Sequence, residues 1–335
     1  MNKNLGKGVS NPAKTKAPFN LAALKLDCKS ESARLVPFVR HAVGEVLHKQ
    51  GAVVGVSGGI DSSVTVALCV RALGAKRVVA VLMPEKDSHP KTLELSRLVA
   101  DSLGIRTFYR DITPVLTGLG FYQEHAEVIR SVIPEYADGW KSKMVISDPT
   151  TGTEFAFFSI VAQAPDGKTI KKRLPAEAYL RIVALSNFKQ RTRKMLEYHY
   201  ADRFNYAVGG TSNWLETDQG FFVKLGDGSG DFKPIAHLYK SQIYQLAEYL
   251  GVPEEIRRRA PSADIHSLSQ GQDEFYFVLP YEKMDVCVYG ELHGIPPEKV
   301  AEAIGVQADL VTKIYRIISL RRSRTEYLRA QPVYP

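Results

Sequence analysis

Ser57-Gly58-Gly59-Ile60-Asp61-Ser62-Ser63 gathers into one short turn the residue types that hold a polyphosphate. Glycines let backbone N–H groups approach an oxyanion closely, and a helix beginning just after the turn adds its dipole. Ser57, Ser62 and Ser63 supply hydroxyl donors, and Asp61 supplies a carboxylate able to hold a metal ion. An ordinary strand-to-helix turn with a Ser or Asp cap would use some of these types. Their joint occurrence after an apolar run favours the anion site. The other common phosphate loop, G-x-x-x-x-G-K-[ST], is absent. Its nearest imitation, Gly167-Lys168-Thr169, lacks the first glycine and follows Pro165-Asp166 in a hairpin-like turn.

The surrounding pattern says what positions this turn. Val53-Val54-Gly55-Val56 reads as a buried parallel strand, and Val64, Ala67, Leu68 and Leu73 then repeat at helical spacing. Arg77–Met83 is a second buried strand, followed by a helix over 90–103 and a third strand over 107–112. Strands alternating with helices of this length predict an α/β fold, a doubly wound parallel sheet of Rossmann-like type. Ligands in such sheets bind at the carboxyl ends of the strands, which places Met83-Pro84 and the loop to Ser88 beside the phosphate turn. Before the sheet, residues 1–20 read as a flexible tail with Lys3, Lys7, Lys14 and Lys16, and residues 31–50 as an amphipathic helix. The remainder, 21–335, is expected to form a single domain. Residues 113–178 break its rhythm with strand-like runs at 143–146, 154–162 and 169–173, a β-rich insertion serving as surface elaboration or subunit contact. A helix over 178–204 carries Asn187, Arg191 and Lys194 on one face, with Arg193 near its edge. A short strand at 206–210 leads to Thr211-Ser212-Asn213. A polar, glycine-rich loop with Lys224, Asp227 and Asp231 then reaches Lys240 at the start of a helix over 239–250. Residues 281–290 and 297–322 are terminal helices.

Composition narrows the class. With 44% hydrophobic and 24% charged residues in 335, this is an ordinary globular chain. No apolar run approaches the roughly 18 residues of a membrane span, and no signal-peptide core follows the N-terminus. The three cysteines, Cys28, Cys69 and Cys287, are scattered without metal-ligand spacing and fit a reducing, cytoplasmic compartment. A net charge of +8 suits an anionic partner, nucleotide or nucleic acid. Residues 297–306 imitate the start of a helix-turn-helix. Two helices joined at Gly305 and packing through Val300, Ile304, Val311, Ile314 and Ile317 account for the same pattern more simply, and nucleic-acid binding is the remote alternative.

Ser-Gly-Gly-x-Asp-Ser after a strand resembles the pyrophosphate loop of the N-type ATP pyrophosphatases, which split ATP between its α and β phosphates and adenylate a substrate oxygen. Three further blocks resemble one branch of them, the NAD synthetase family. These are Asn187-Phe188-Lys189-Gln190-Arg191-Thr192-Arg193, Gly210-Thr211-Ser212-Asn213-x-x-Glu216, and Gly220-Phe221-Phe222-Val223-Lys224-Leu225-Gly226-Asp227-Gly228. Pro234-Ile235, Leu238-Tyr239-Lys240 and Pro261-Ser262-Ala263-Asp264 continue the match in order. The resemblance implies that Ser57, Gly58, Gly59, Ser62 and Ser262 hold phosphates. It implies that Asp61 and Glu216 hold Mg2+, that Lys240 neutralises phosphate charge and that Thr211 contacts ATP. Asp61, Lys240 and Ser262 would be the catalytic set. Asn187, Arg191, Lys224, Asp227 and Asp231 would line the pocket of the carboxylate-bearing dinucleotide.

The implied activity is ATP-dependent amidation. The carboxylate of nicotinic acid adenine dinucleotide is adenylated, and ammonia then displaces AMP to give NAD. The alternative keeps this chemistry and changes the acid, as in a specialised pathway. Four departures from the family pattern leave the acid open: Trp214-Leu215, Asp273-Glu274-Phe275-Tyr276-Phe277-Val278, Tyr327-Leu328-Arg329, and an insertion at 113–178 much longer than the usual mobile loop. No glutaminase-like or nitrilase-like stretch precedes the core, so free ammonia or ammonia from a separate glutaminase is expected. A homodimer is implied by the resemblance alone.

Overall fold

β1 (Ala52–Gly55) is buried on both faces, because Ala52 and Val54 point one way and Val53 the other, each without solvent exposure. A computed structural model describes residues 19–146, 157–260, 267–268, 271 and 279–334. In it β1 pairs in parallel with β2 (Val78–Leu82), β2 with β3 (Arg106–Tyr109), and β1 on its other side with a two-residue strand, β7 (Ala207–Val208), giving the order β3-β2-β1-β7. β3 is a largely exposed edge and stops at Tyr109, short of the expected Ile112. β7 is shorter than the expected 206–210. Asp231 caps it, accepting from Val208 N at 2.7 Å, and a single bridge joins Gly209 to Phe232.

Helices cover both faces, as the doubly wound reading requires. Ala52, Val54, Ala80 and Leu82 pack against α1 (Cys28–Arg40), α2 (Ile60–Leu73), α3 (Pro90–Ser102) and a later helix, Lys240–Tyr249. The opposite face, Val53, Val79, Val81 and Val208, meets Tyr200 and Ala201. α1 begins at Cys28, capped by Asp27, and passes into a π-helical turn over His41–Val46, so the expected helix over 31–50 is displaced toward the N-terminus.

The segment 113–178 corrects the expectation of a β-rich insertion in its first part. Pro114 starts α4 (Thr113–Gly118), and α5 (Phe121–Val132) is amphipathic, burying Phe121, Val128 and Ile129. The second part is an antiparallel sheet of β4 (Lys141–Ile146), β5 (Phe158–Gln163) and β6 (Thr169–Arg173), with β5 central. The turn at Ala164–Lys168 closes the β5–β6 hairpin, with Gly167 at φ +89°. Then come α6 (Ala176–Phe204), α7 (Trp214–Gln219), α8 (Lys240–Tyr249), α9 (Glu254–Arg257), α10 (Tyr281–Leu292), α11 (Pro297–Ile304) and α12 (Ala308–Arg324).

α11 and α12 turn at Gly305 and bury Val300, Ile304, Val311, Ile314 and Ile318 against α10. Ile318 takes the core place expected of Ile317. These apolar faces are used internally, as the simpler reading of the helix-turn-helix imitation requires. Of the expected tail, residues 1–18 lie outside the described residues. Among the described residues no helix is long and apolar enough to cross a membrane.

Candidate active site

A cavity of about 400 Å³ opens at the carboxyl ends of β1 and β2, where a doubly wound sheet places its ligand. The loop after β1 forms its polar floor. Gly58 has φ +69°, and a Cβ there would stand 2.8 Å from Leu95 Cβ and 3.0 Å from Thr92 O, so only glycine lets this turn pack on α3. Gly59 is the N-cap of α2. The Ser62 hydroxyl donates to Gly59 O at 3.0 Å and accepts from Ser57 N at 3.3 Å, tying the loop to the first turn of the helix. Ser57, Gly59, Asp61 and Ser62 line the cavity, whereas Gly58 shapes the loop from behind.

Asp61 sits at the junction of three helix starts. Its Oδ2 is ion-paired with Lys240 Nζ, at the first residue of α8. Its Oδ1 accepts from Asn213 Nδ2 at 3.1 Å. Asn213 in turn forms a capping box on α7: its side chain accepts from Glu216 N at 2.9 Å while Glu216 Oε2 accepts from Asn213 N at 3.3 Å. Burial and the Asp61 charge push the Glu216 carboxyl well above the usual carboxylate range, against the pull of Lys240. Burial depresses the Lys240 ammonium, but Asp61 and Glu216 outweigh it and hold the lysine charged.

The pair Asp61 and Glu216 is thus rich in hard oxygen donors and short of positive charge. That donor set fits a magnesium ion completing its shell with phosphate oxygens and water. Among the described residues no group of three or more His, Cys, Asp or Glu side chains is placed to hold a metal, so the protein alone would make no complete cage.

α6 forms a second wall. Val183, Asn187, Gln190, Lys194 and Glu197 alternate at spacings of four and three and face the cavity as one stripe. Lys194 Nζ and Glu197 Oε2 pair at 2.7 Å, and Glu197 lies under Gly55, where a Cβ would come within 2.6 Å of its Oε1. Arg193 Nε reaches Met83 O at 3.3 Å. Asp227 also lines the cavity; burial raises its carboxyl, and its Oδ1 accepts from Val223 N at 2.7 Å. Met83, Ser88 and Thr211 line it too.

Three residues that the resemblance places in the dinucleotide pocket point elsewhere. Arg191 is exposed, outside the cavity-lining stripe of α6, and its Nε donates to Lys224 O at 3.2 Å. Lys224 Nζ donates to Tyr327 O at 2.9 Å and Ala330 O at 3.1 Å, anchoring the C-terminal segment. Asp231 accepts from Tyr198 Oη at 3.0 Å and from Val208 N. Ser262 and Asp273-Glu274-Phe275-Tyr276-Phe277-Val278 lie outside the described residues.

A buried ion pair that no sequence motif signals joins Glu85 and Lys189, 2.6 Å apart and 2% and 3% exposed. Tyr122 Oη donates to Glu85 Oε2 at 2.7 Å and Asp87 N at 3.0 Å, locking the loop after β2 to α5 and α6. Burial alone would raise the Glu85 carboxyl, but Lys189 and these donors hold it low. Nothing in the spacing of Glu85 marked it. Glu197, by contrast, falls three residues after Lys194 and so shares its sector of α6. The segment read as surface elaboration also reaches the cavity: Met144 of β4 and Phe158 of β5 line it.

The family model of NAD synthase matches residues 31–132 and 160–332. The chain is 49% identical to the NH(3)-dependent NAD(+) synthetase of Rhizobium meliloti over 321 residues, 96% of each protein. Among solved structures it resembles the NH3-dependent NAD synthetase of Campylobacter jejuni, with TM-score 0.60 and 23% identity over 92% of this chain and all of that one. It resembles equally an NMN synthetase from Francisella tularensis, with TM-score 0.60 and 22% identity over 93% and 99%. At those identities the two structures speak for the fold, and the family follows from the match along the sequence: this chain belongs to the NAD synthase family, α/β ligases for which ATP is a substrate.

Proposed function

We propose that this protein adenylates the carboxylate of nicotinic acid adenine dinucleotide and amidates it with ammonia, giving NAD, AMP and pyrophosphate. The observation that carries the reading is the convergence, in one cavity, of the Ser57–Ser62 loop with the Lys240–Asp61 pair, Glu216, Asn187 and Asp227. The name of the R. meliloti relative supports the nitrogen donor and the product.

A carboxylate is a poor electrophile because its oxygen is a bad leaving group. Attack of that oxygen on the α-phosphorus of ATP expels pyrophosphate and leaves an acyl adenylate. Ammonia adds to the acyl carbon, the amide forms, and AMP departs with the former carboxylate oxygen. The loop N–H groups, with Ser57 and Ser62, would hold the β and γ phosphates at the N-terminus of α2. Lys240, held charged in the buried site, would neutralise charge growing on the phosphates as the α–β bond breaks. Met83, Ser88 and Thr211 would bound the nucleoside. Asp61 and Glu216 would hold magnesium, which when bound offsets phosphate charge. Asn187 and Asp227 would position the acid and the incoming amine. Ser262 completes the phosphate set that the resemblance implies.

A homodimer, cytoplasmic residence and supply of ammonia by a separate glutaminase or from free solution belong to the same proposal, as does one domain over 21–335. A second reading keeps the chemistry and changes the acid. It is favoured by the placement of Arg191, Lys224 and Asp231 away from the cavity, whereas the residues assigned to ATP, Ser262 aside, lie in it or frame it.

The test is incubation with ATP, magnesium, ammonium and a panel of carboxylates. The dinucleotide should give NAD, AMP and pyrophosphate in equal amounts, with glutamine unable to replace ammonium. ATP cleavage dependent on another acid, with none on the dinucleotide, would select the second reading.

A further inference from the structure

One stretch of wall owes nothing to the residues matched by the family model. Residues 133–159 fall between its two matched segments, and they contain β4 and the first two residues of β5, Phe158 and Ser159. From them Met144 and Phe158 enter the cavity beside Tyr179 and Val183 of α6. Phe158 stacks on Tyr179 with ring centroids 4.5 Å apart and planes inclined by 23°. The wall is supported from behind. Ile160, Ala162, Leu174, Ala178 and Ile182 form a separate apolar core with Val128 and Ile129 of α5. The β4 backbone is itself held on one side, since Leu268 N donates to Ser142 O at 3.0 Å and Ser142 N to Ser267 Oγ at 2.9 Å.

The chemistry of the cavity wall therefore changes from one end to the other. Loop hydroxyls, Lys240, Asp61 and Glu216 gather at one end, Asn187, Gln190, Lys194 and Glu197 run along α6, and a thioether, two stacked rings and the Val183 side chain meet where β4 and β5 pack on the start of α6. Phosphates gain nothing from the apolar end. A planar aromatic ring does, by offset stacking and sulfur contact. We propose that Met144, Phe158 and Tyr179 seat the aromatic ring of the acid being activated, and that the inserted sheet thereby sets which carboxylic acid this enzyme accepts. The inference rests on the adenylating reading of the site and deepens it: the substrate class is a planar heteroaromatic carboxylate, the ring held by the insertion and the carboxylate facing the phosphate side.

The test compares the full-length enzyme with Phe158→Ala, Phe158→Leu and Met144→Ala in steady-state kinetics with both substrates varied. Loss of the ring in Phe158→Ala should raise KM for nicotinic acid adenine dinucleotide about 10-fold or more, with KM for ATP changed by less than about 2-fold. Phe158→Leu, which keeps apolar bulk without a π face, should fall between, and an unchanged KM for ATP shows that the fold survives. Equal rises in both KM values, or a change confined to ATP, would overturn the assignment, as would no change in either. If the unaltered enzyme makes no NAD from the dinucleotide, the function reading fails separately. The wall is then tested by acid-dependent pyrophosphate release over aromatic and aliphatic carboxylates. A preference for planar aromatic acids that Phe158→Ala abolishes supports it, and indifference to the ring contradicts it.

Discussion

The two sides of the cavity are built on opposite principles. The phosphate side is made of backbone and charge: a turn on the central strand β1, the start of α2, and the Lys240–Asp61–Asn213–Glu216 cluster, all fixed by the parallel sheet. The other side is made of apolar side chains, delivered by an antiparallel sheet with its own core and by Tyr179 and Val183 at the start of the cavity-facing stripe of α6. Electrostatics in a buried site are strong and unforgiving of geometry, so that side tolerates little change. Apolar contact is graded and can be resurfaced by a few substitutions, so that side can alter its ligand without loss of chemistry. The contrast explains how one fold can keep its ATP reaction and vary the acid.

Breaking the phosphate side should give the largest effect. Lys240→Ala removes the cation that faces Asp61 and Glu216, and ATP-dependent turnover should fall by about 10³-fold, while the melting curve stays cooperative. Activity within a few-fold of normal would remove Lys240 from the chemistry.

The Glu85–Lys189 pair joins the two sides, since Glu85 lies in the loop after β2 and Lys189 on α6. Glu85→Leu removes the carboxylate that meets Lys189 Nζ at 2.6 Å and should cost about 3–5 kcal/mol in denaturant unfolding. Adding Lys189→Met should recover most of that, because the second change removes the buried charge that Glu85 balanced. A double variant as unstable as the single one would mean that the pair's hydrogen bonds with Tyr122 and Asp87, not its charge balance, hold the loop.

Gly58→Ala tests the packing of the loop alone. At φ +69° with Leu95 Cβ only 2.8 Å from the new methyl, the strain should cost about 2 kcal/mol and weaken ATP binding more than binding of the acid.

The smallest effect is in pH dependence. Burial, then the Lys189 charge, push the His125 imidazole down to about 4 from its ordinary 6.5. A folded-state pKa below the unfolded one means that the unfolded chain takes up the proton first. Stability is therefore full above about pH 6.5 and falls as pH drops from there toward 4. At pH 5 the loss should be roughly 1–2 kcal/mol, and His125→Phe should remove that slope. An unchanged slope in the variant would assign the acid sensitivity elsewhere.

Much of the phosphate side was legible in the sequence because its donors are contiguous: Ser57 to Ser63 brings two glycines, three serines and an aspartate into one turn. The parallel core was legible for a related reason, since Val53–Val56 and Val78–Leu82 are apolar on both faces. The apolar wall was not. Met144, Phe158 and Tyr179 lie far apart in the chain and meet only through the β4–β5 pairing and its packing on α6, and apolar residues announce no chemistry. Asn187, Arg191 and Lys194 share a helix sector by period, but α6 carries polar residues on several sides. The 3.6 repeat alone therefore gave no reason to turn Asn187 and Lys194 inward and leave Arg191 outside. α4 and α5 were missed although Thr113-Pro114 and the apolar spacing of Phe121, Val128 and Ile129 carried a helix signal. The turn signals further along the same segment outweighed it.

Transfer of AMP to a carboxylate oxygen is the step on which the proposed reaction turns. Nicotinic acid adenine dinucleotide labelled with oxygen-18 in its carboxylate should, with ATP, magnesium and ammonium, yield AMP carrying one labelled oxygen on its phosphate. Unlabelled AMP, or ADP in place of AMP, would contradict the account.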